Sequence, residues 1–168
     1  MRIANGALAI FVLVLLAGCD NQDGIINPIV PIQPDPEPPG AGVKATEVRD
    51  LAALERLRGN AGITLQWIHW QKRGLLEVTQ RGAVVHLKGL QVAPDGKGLL
   101  DLDGDVLSID TDQFIFRGRI TISDTPDPGR SCFKNGDSVF AITQQRKYWR
   151  MREFEWCDSL TDYIDIYF

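Results

Sequence analysis

Apolar positions follow three patterns along the chain, and each predicts a different kind of structure. Residues 3–17 are almost wholly apolar. A bilayer-spanning helix needs about twenty such residues; this run is shorter and ends in small ones, so it reads as the core of a secretory signal. Next, Val48, Leu51, Leu54 and Leu57 recur at a spacing of three. Thr46 stands where an N-cap belongs, Ala52 and Ala53 favour helix, and Gly59-Asn60 supplies a stop. One amphipathic helix covering an end or edge of a domain is expected. From Ile63 onward the period drops to two, the signature of half-buried strands.

That alternation predicts eight strands, over residues 63–70, 75–80, 83–91, 99–109, 113–122, 138–144, 147–156 and 163–168. Gly104 reads as a bulge. The connections are mostly of hairpin length. The expected fold class is mainly β, with one N-terminal helix followed by about eight antiparallel strands, in a small up-and-down barrel (lipocalin-like or avidin-like) or a sandwich. Centring the first hairpin near Arg81 sets Val78 opposite Val85, Leu76 opposite Leu87 and Glu77 opposite His86. Centring a later one on Gln145-Arg146 sets Phe140 opposite Met151 and Ile142 opposite Trp149. Around the turn at 110–112, Arg117 falls near Asp105 and Arg119 near Asp103. Apolar residues then meet apolar ones, as a one-sided core requires. Trp67, Phe114, Phe116, Ile164 and Ile166 are further inward candidates. The last strand would close the sheet by pairing with the first, removing exposed edges.

Composition changes this picture mainly by being uneven. The chain has 168 residues and a net charge of −4. Residues 20–42 hold Pro28, Pro31, Pro34, Pro36, Pro38 and Pro39, and four of the acidic residues. Such a segment favours extended conformers and builds no core. At about 3.1 Å per residue it reaches roughly 70 Å. The expected organisation is a signal peptide at 1–18, a tether at 19–42 and a single domain at 43–168. With Arg2 and the tether set aside, the domain has 17 basic and 18 acidic residues, so it is nearly neutral. No basic excess points to nucleic acid.

Leu16-Ala17-Gly18-Cys19 resembles the lipobox of bacterial lipoproteins. The resemblance implies cleavage before Cys19, a diacylglyceryl group on its thiol and an acyl chain on its amine. Two or more chains make anchoring stable. The address is then the bacterial cell envelope, facing the periplasm. Asp20 beside the lipidated cysteine resembles the enterobacterial signal for inner-membrane retention, so the inner membrane is favoured over the outer. With Cys19 acylated, Cys132 and Cys157 remain as an even pair in an oxidising compartment, which predicts a disulfide.

Candidate chemistry is sparse. Asp101-Leu102-Asp103-Gly104-Asp105 looks like a calcium loop, but Val106 stands where the sharp turn needs glycine. Alternating aspartates paired with Arg117 and Arg119 account for it better. His69 and His86 are the only histidines and lack a third ligand for zinc. His86 is placed on the outer face beside Glu77, and His69 on one face with Trp67. No nucleophile motif such as GxSxG occurs. No metal, cofactor or enzymatic activity is therefore expected. The basic run from Arg146 to Arg152 is read as a strand with Trp149 and Met151 inward. Tyr148, Arg150 and Arg152 then form the candidate partner surface, since Arg and Tyr are enriched at interfaces.

Residues 114–168, with Phe114-Ile115-Phe116-Arg117-Gly118-Arg119-Ile120, Lys147-Tyr148-Trp149-Arg150 and Thr161-Asp162-Tyr163-Ile164-Asp165-Ile166-Tyr167, resemble a family of small uncharacterised exported proteins of Gram-negative bacteria. In general shape the chain also resembles lipid-anchored small barrels such as periplasmic lysozyme inhibitors and bacterial lipocalins. The expected function is a non-enzymatic binding module for a periplasmic partner, with Tyr148, Arg150 and Arg152 taking an anionic or protein partner. The alternatives are a lipocalin-like carrier of a small apolar ligand, and an unrecognised hydrolase.

Overall fold

A computed structural model describes residues 42–168. The signal, Cys19 and the tether up to residue 41 lie outside the described residues. Chain order is β1 (Glu47–Val48), α1 (Leu51–Arg58), β2 (Gly62–Leu65), β3 (Leu75–Arg81), β4 (Val84–Val92), β5 (Leu99–Ile109), β6 (Gln113–Ser123), β7 (Ser131–Ala141), β8 (Tyr148–Met151) and β9 (Ile164–Tyr167). The sheet runs β2-β9-β8-β7-β6-β5-β4-β3, antiparallel throughout this path. A bridge between Ile63 and Gly74, the residue preceding β3, brings the two ends together. The result is a nearly closed, mainly β barrel with one short helix, and the last strand pairs with the first long-range strand, Ile166 opposite Ile63. Among the described residues no helix is long and apolar enough to cross a membrane.

The inner positions alternate as the period of two requires. Val85, Leu87, Leu100, Leu102, Phe114, Phe116, Phe140, Trp149, Met151, Ile164 and Ile166 are all buried. Phe114 stacks on Phe140 at 5.0 Å between ring centroids and meets the edge of Trp149 at 5.7 Å. Phe168 packs on Trp149 at 4.4 Å. Ala53, Leu54 and Leu57 of α1 join this core.

Several local expectations are corrected. The helix cap is Asp50, whose carboxylate accepts from the Ala53 amide at 3.0 Å. Thr46 lies before a short extended segment, where its hydroxyl donates to the Val106 carbonyl and accepts from the Val85 amide. With the helix starting later, the buried stripe is 53, 54 and 57, and Leu51 faces solvent. The first barrel strand stops at Leu65, because Ile68 and His69 donate back to its carbonyl in a helix-like turn. Trp67 is consequently exposed at 37%, not inward. Its indole donates to Asp162. Gln91 ties this loop down: its Oε1 accepts from Leu65 and its Nε2 donates to the His69 and Lys72 carbonyls. The first hairpin turns at Gly82-Ala83, so Val78 faces Leu87, Leu76 faces Gly89 and Glu77 faces Lys88. A shift of two residues keeps every side chain on its expected face. β7 begins at Ser131, which puts Cys132 on a strand rather than in a loop, and β8 ends at Met151. Phe140 does lie opposite Met151.

The bulge also moves. The β5–β6 register shifts between Val106 and Ser108, while Gly104 pairs in register with Gly118, and Gly118 with Gly136. The glycines serve close approach instead. A Cβ on Gly118 would lie 2.6 Å from the Gly104 Cα and 2.7 Å from the tip of the Phe116 ring, and nearer still to the Asp103 carbonyl. The Phe116 ring occupies the space that two side chains would fill. Gly118→Ala is therefore expected to destabilise the fold by about 2 kcal/mol or more through overpacking against backbone. Urea unfolding would measure it; a loss under about 0.5 kcal/mol would mean the strands can separate at little cost.

Candidate anion-binding recess

β8 ends at Met151 and the chain bends at Arg152, yet Arg150, Arg152 and Phe154 come to one side. β8 pairs with β9 so that Tyr148 faces Tyr167 and Arg150 faces Asp165. Two residues beyond that last pair, past the ends of both strands, Arg152 and Tyr163 line one recess. The turn from β7 into β8 brings Arg146 to the same side. These groups surround an open recess of about 400 Å³, lined by Arg146, Arg150, Arg152, Phe154 and Tyr163. Thr143 and Gln144 complete its rim. Among the described residues three guanidinium groups and no carboxylate form the lining, on a domain that is nearly neutral with those arginines counted.

Arg150 is the fixed member. It was expected on a solvated face; the structure corrects this, leaving the residue 9% exposed. Its Nε and Nη2 donate to the two Asp165 oxygens, each at 2.7 Å. Its guanidinium lies 3.9 Å from the Tyr163 ring centroid and 5.1 Å from that of Tyr148. Trp70 approaches on another side at 5.9 Å. Nη1 makes no hydrogen bond among the described residues. Asp165 is fully buried, and burial pushes its carboxyl up against the two Arg150 bonds that pull it down. Removing Arg150 would strand that carboxylate, which typically costs about 3–5 kcal/mol.

Arg146 and Arg152 are in no ion pair among the described residues. Arg146 donates to the Gln144 Oε1 at 2.7 Å and lies 5.7 Å from the Tyr148 ring. Arg152 is exposed and rests over Phe154 at 4.8 Å. The turn that positions Arg146 is strained. Gln144 and Gln145 sit at φ of 55° and 58°, while the Arg146 amide bonds to the Thr143 carbonyl. Two left-handed central residues define a turn that normally takes Asn-Gly. Strain of this kind collects at functional sites.

The Phe154–Tyr163 wall is held by a second arginine. Arg130, with a side chain only 5% exposed, uses all five of its donors. Nε and Nη2 grip Asp158, Nη1 and Nη2 grip Asp162, and Nη1 also reaches the Thr125 carbonyl. The Asp158 carboxyl is held down to about 2 by the Arg130 bonds. Cys157, next to it, is disulfide-bonded to Cys132, with Cα atoms 5.8 Å apart. Closing a loop of 25 residues stabilises by about 3.5 kcal/mol on chain-entropy grounds.

The remaining candidates have structural roles. His86, expected outward beside Glu77, is 3% exposed; its Nδ1 lies 2.7 Å from Asp105 and its Nε2 3.3 Å from Asp103. It is buried because Thr79 and Asp105 flank it on the neighbouring strands. His69 caps a turn, its Nδ1 accepting from the Gln71 and Lys72 amides. Arg117 faces Asp105 and Arg119 faces Asp103, as expected, but Arg117 pairs with Asp137 and Arg119 most closely with Asp101. Of the candidate surface residues, Arg150 and Arg152 line the recess and Tyr148 does not, while sequence reasoning omitted Arg146, Arg130, Phe154, Tyr163 and Asp165 from the site. Extending the strand register from Arg150 to the final strand would have found Asp165.

An antiparallel barrel, plugged by side chains and bearing an arginine-lined recess on its outer face, defines the class of domain. The PM1083 family model matches residues 45–168, which span β1 to the end of β9, and the chain belongs to that family. It is 38% identical over 115 residues to the uncharacterised protein PM1083 of Pasteurella multocida (strain Pm70), covering 67% of this chain and 74% of that one. No solved structure matches it.

Two outcomes follow from this geometry. Replacing Gln144-Gln145 by Asn-Gly should raise stability by about 1–2 kcal/mol, because the left-handed conformation costs each ordinary residue about 1 kcal/mol and Asn recovers only part of it; an unchanged urea midpoint would show the turn to be unstrained. Asp158 has a folded-state pKa of about 2 against an ordinary 3.8. Its contribution is present above the higher value and disappears as pH falls through the lower one. Stability measured between pH 5 and pH 2 should thus decline less steeply in Asp158→Asn than in the parent; parallel curves would contradict the pairing with Arg130.

Proposed function

We propose that this protein is a lipid-anchored, non-enzymatic binding module of the bacterial cell envelope. Cys19 would carry the anchor and residues 20–42 the spacer, setting the domain before a periplasmic partner. The observation that carries the reading is the recess: among the described residues, three arginines and no carboxylate in its lining, preorganised by Asp165 and by aromatic rings. An anionic group of the partner would enter there. The charge-assisted hydrogen bonds of arginine to anionic oxygens are among the strongest available to a surface.

The filled interior supports this over carriage of an apolar ligand. Ligand-carrying barrels keep an apolar cavity of several hundred Å³. Here Phe114, Phe116, Phe140 and Trp149 occupy the middle of the barrel, and the arginine-lined recess opens on its outer face.

A photo-crosslinking residue at Lys147, on the exposed rim turn, tests the module in its own envelope. A defined adduct is expected, absent when the crosslinker sits at Lys88 and lost with Arg146→Ala plus Arg152→Ala. An adduct that survives the double substitution would refute the recess as the contact. In the same cells Cys19→Ala should move the protein from the membrane to the soluble fraction, and continued membrane association would refute the anchor.

A further inference from the structure

The recess has more charge than one carboxylate would use. Arg150 and Asp165 neutralise each other, and Asp165 is sealed behind the guanidinium it holds. Among the described residues Arg146 and Arg152 have no ion pair of their own, Arg146 being drawn only at longer range to Asp165, so three arginines against one aspartate leave the recess two net positive charges. Donors also predominate over acceptors, since the Gln144 Oε1 is already taken by Arg146. The unused Nη1 of Arg150, the guanidinium groups of Arg146 and Arg152, and the Thr143 hydroxyl are all able to donate.

A phosphate monoester carries about −1.5 to −2 charges at neutral pH and presents three acceptor oxygens. That matches the charge and the donors, whereas a carboxylate supplies one charge and two oxygens. The space fits an ester better than a bare ion. At about 400 Å³ the recess exceeds what a phosphate group needs, and Phe154 and Tyr163 form an apolar wall beside the arginines. A sugar-sized group could lie against those rings while its phosphate meets the guanidinium groups.

We propose, resting on the binding-module reading above, that the recess recognises a phosphate monoester on a small polar group such as a sugar. Arg150 is the preset donor, and Arg146 and Arg152 supply the two balancing charges. The phosphate could belong to a soluble sugar phosphate or to a lipid headgroup, since both present the same dianion.

Calorimetric titration of the full chain in detergent with glucose 6-phosphate tests this, with glucuronate and glucose 6-sulfate as singly charged comparisons. The phosphate should bind at least tenfold more tightly than either. Affinity should fall several-fold from pH 7.5 to pH 5.5, as the phosphate takes up a proton near pH 6. Arg146→Ala with Arg152→Ala should weaken binding at least tenfold while leaving the disulfide and the urea midpoint intact. Co-sedimentation with vesicles of phosphatidylcholine carrying phosphatidic acid or phosphatidylglycerol distinguishes the sources. Binding to phosphatidic acid alone supports a headgroup monoester, and binding to glucose 6-phosphate without either vesicle supports a soluble one. Equal affinity for glucuronate, or no binding to glucose 6-phosphate or phosphatidic acid, would overturn the proposal. If the Lys147 adduct is still lost in the double variant under that last outcome, the binding module stands and only the phosphate assignment falls.

Discussion

Strand β9 is four residues long and is hydrogen-bonded on both edges, to β8 on one side and β2 on the other. Unpaired sheet edges expose backbone donors and acceptors, and closure removes them. Inserting β9 therefore converts an open sheet into a barrel and encloses Ile63, Ile164, Ile166 and Trp149 together. The same insertion sets Asp165 against Arg150. Without β9 there is no buried carboxylate to hold that guanidinium, and Tyr163 has no strand to position it. Barrel closure and the construction of the recess are one event.

Closure also demands curvature, which the glycine row provides. Where Gly104, Gly118 and Gly136 adjoin, neighbouring strands approach too closely for a Cβ on Gly104 or Gly118. Phe116 covers the gap. The long strands β5, β6 and β7 can then coil around a core only a few side chains wide, consistent with the way small barrels fill their interiors.

Polar burial is concentrated at two arginine–aspartate clusters. Arg150 with Asp165, and Arg130 with Asp158 and Asp162, hold the two sides of the recess. Buried pairs of this kind gain little over well-packed apolar groups, because desolvation offsets the attraction. Their value here is geometric. Arg130 fastens the segment after Cys157, so that Phe154 and Tyr163 form a fixed wall. Asp165 fixes the plane of Arg150, leaving one of its nitrogens unengaged.

The alternation of apolar residues sufficed to determine a mainly β domain, the single helix, most inward faces and the pairing of the last strand with the first, while leaving barrel and sandwich both open. A period of two assigns faces whatever the partner strand is, so Val78 and Leu76 were placed inward even with the hairpin register off by two. The pairing of Cys132 with Cys157 was legible from parity alone. Tertiary structure decided what face assignment cannot: which outward residues are covered. Arg150, Asp165 and His86 all point away from the barrel interior, and all are buried, because side chains on adjacent strands and in the 66–74 loop close over them. It also decided where Thr46 and Trp67 go, since their partners, Val106 and Asp162, lie 60 and 95 residues away. Periodicity records only which side of a strand a residue occupies. Whether that side meets water depends on long-range contacts that no local pattern encodes.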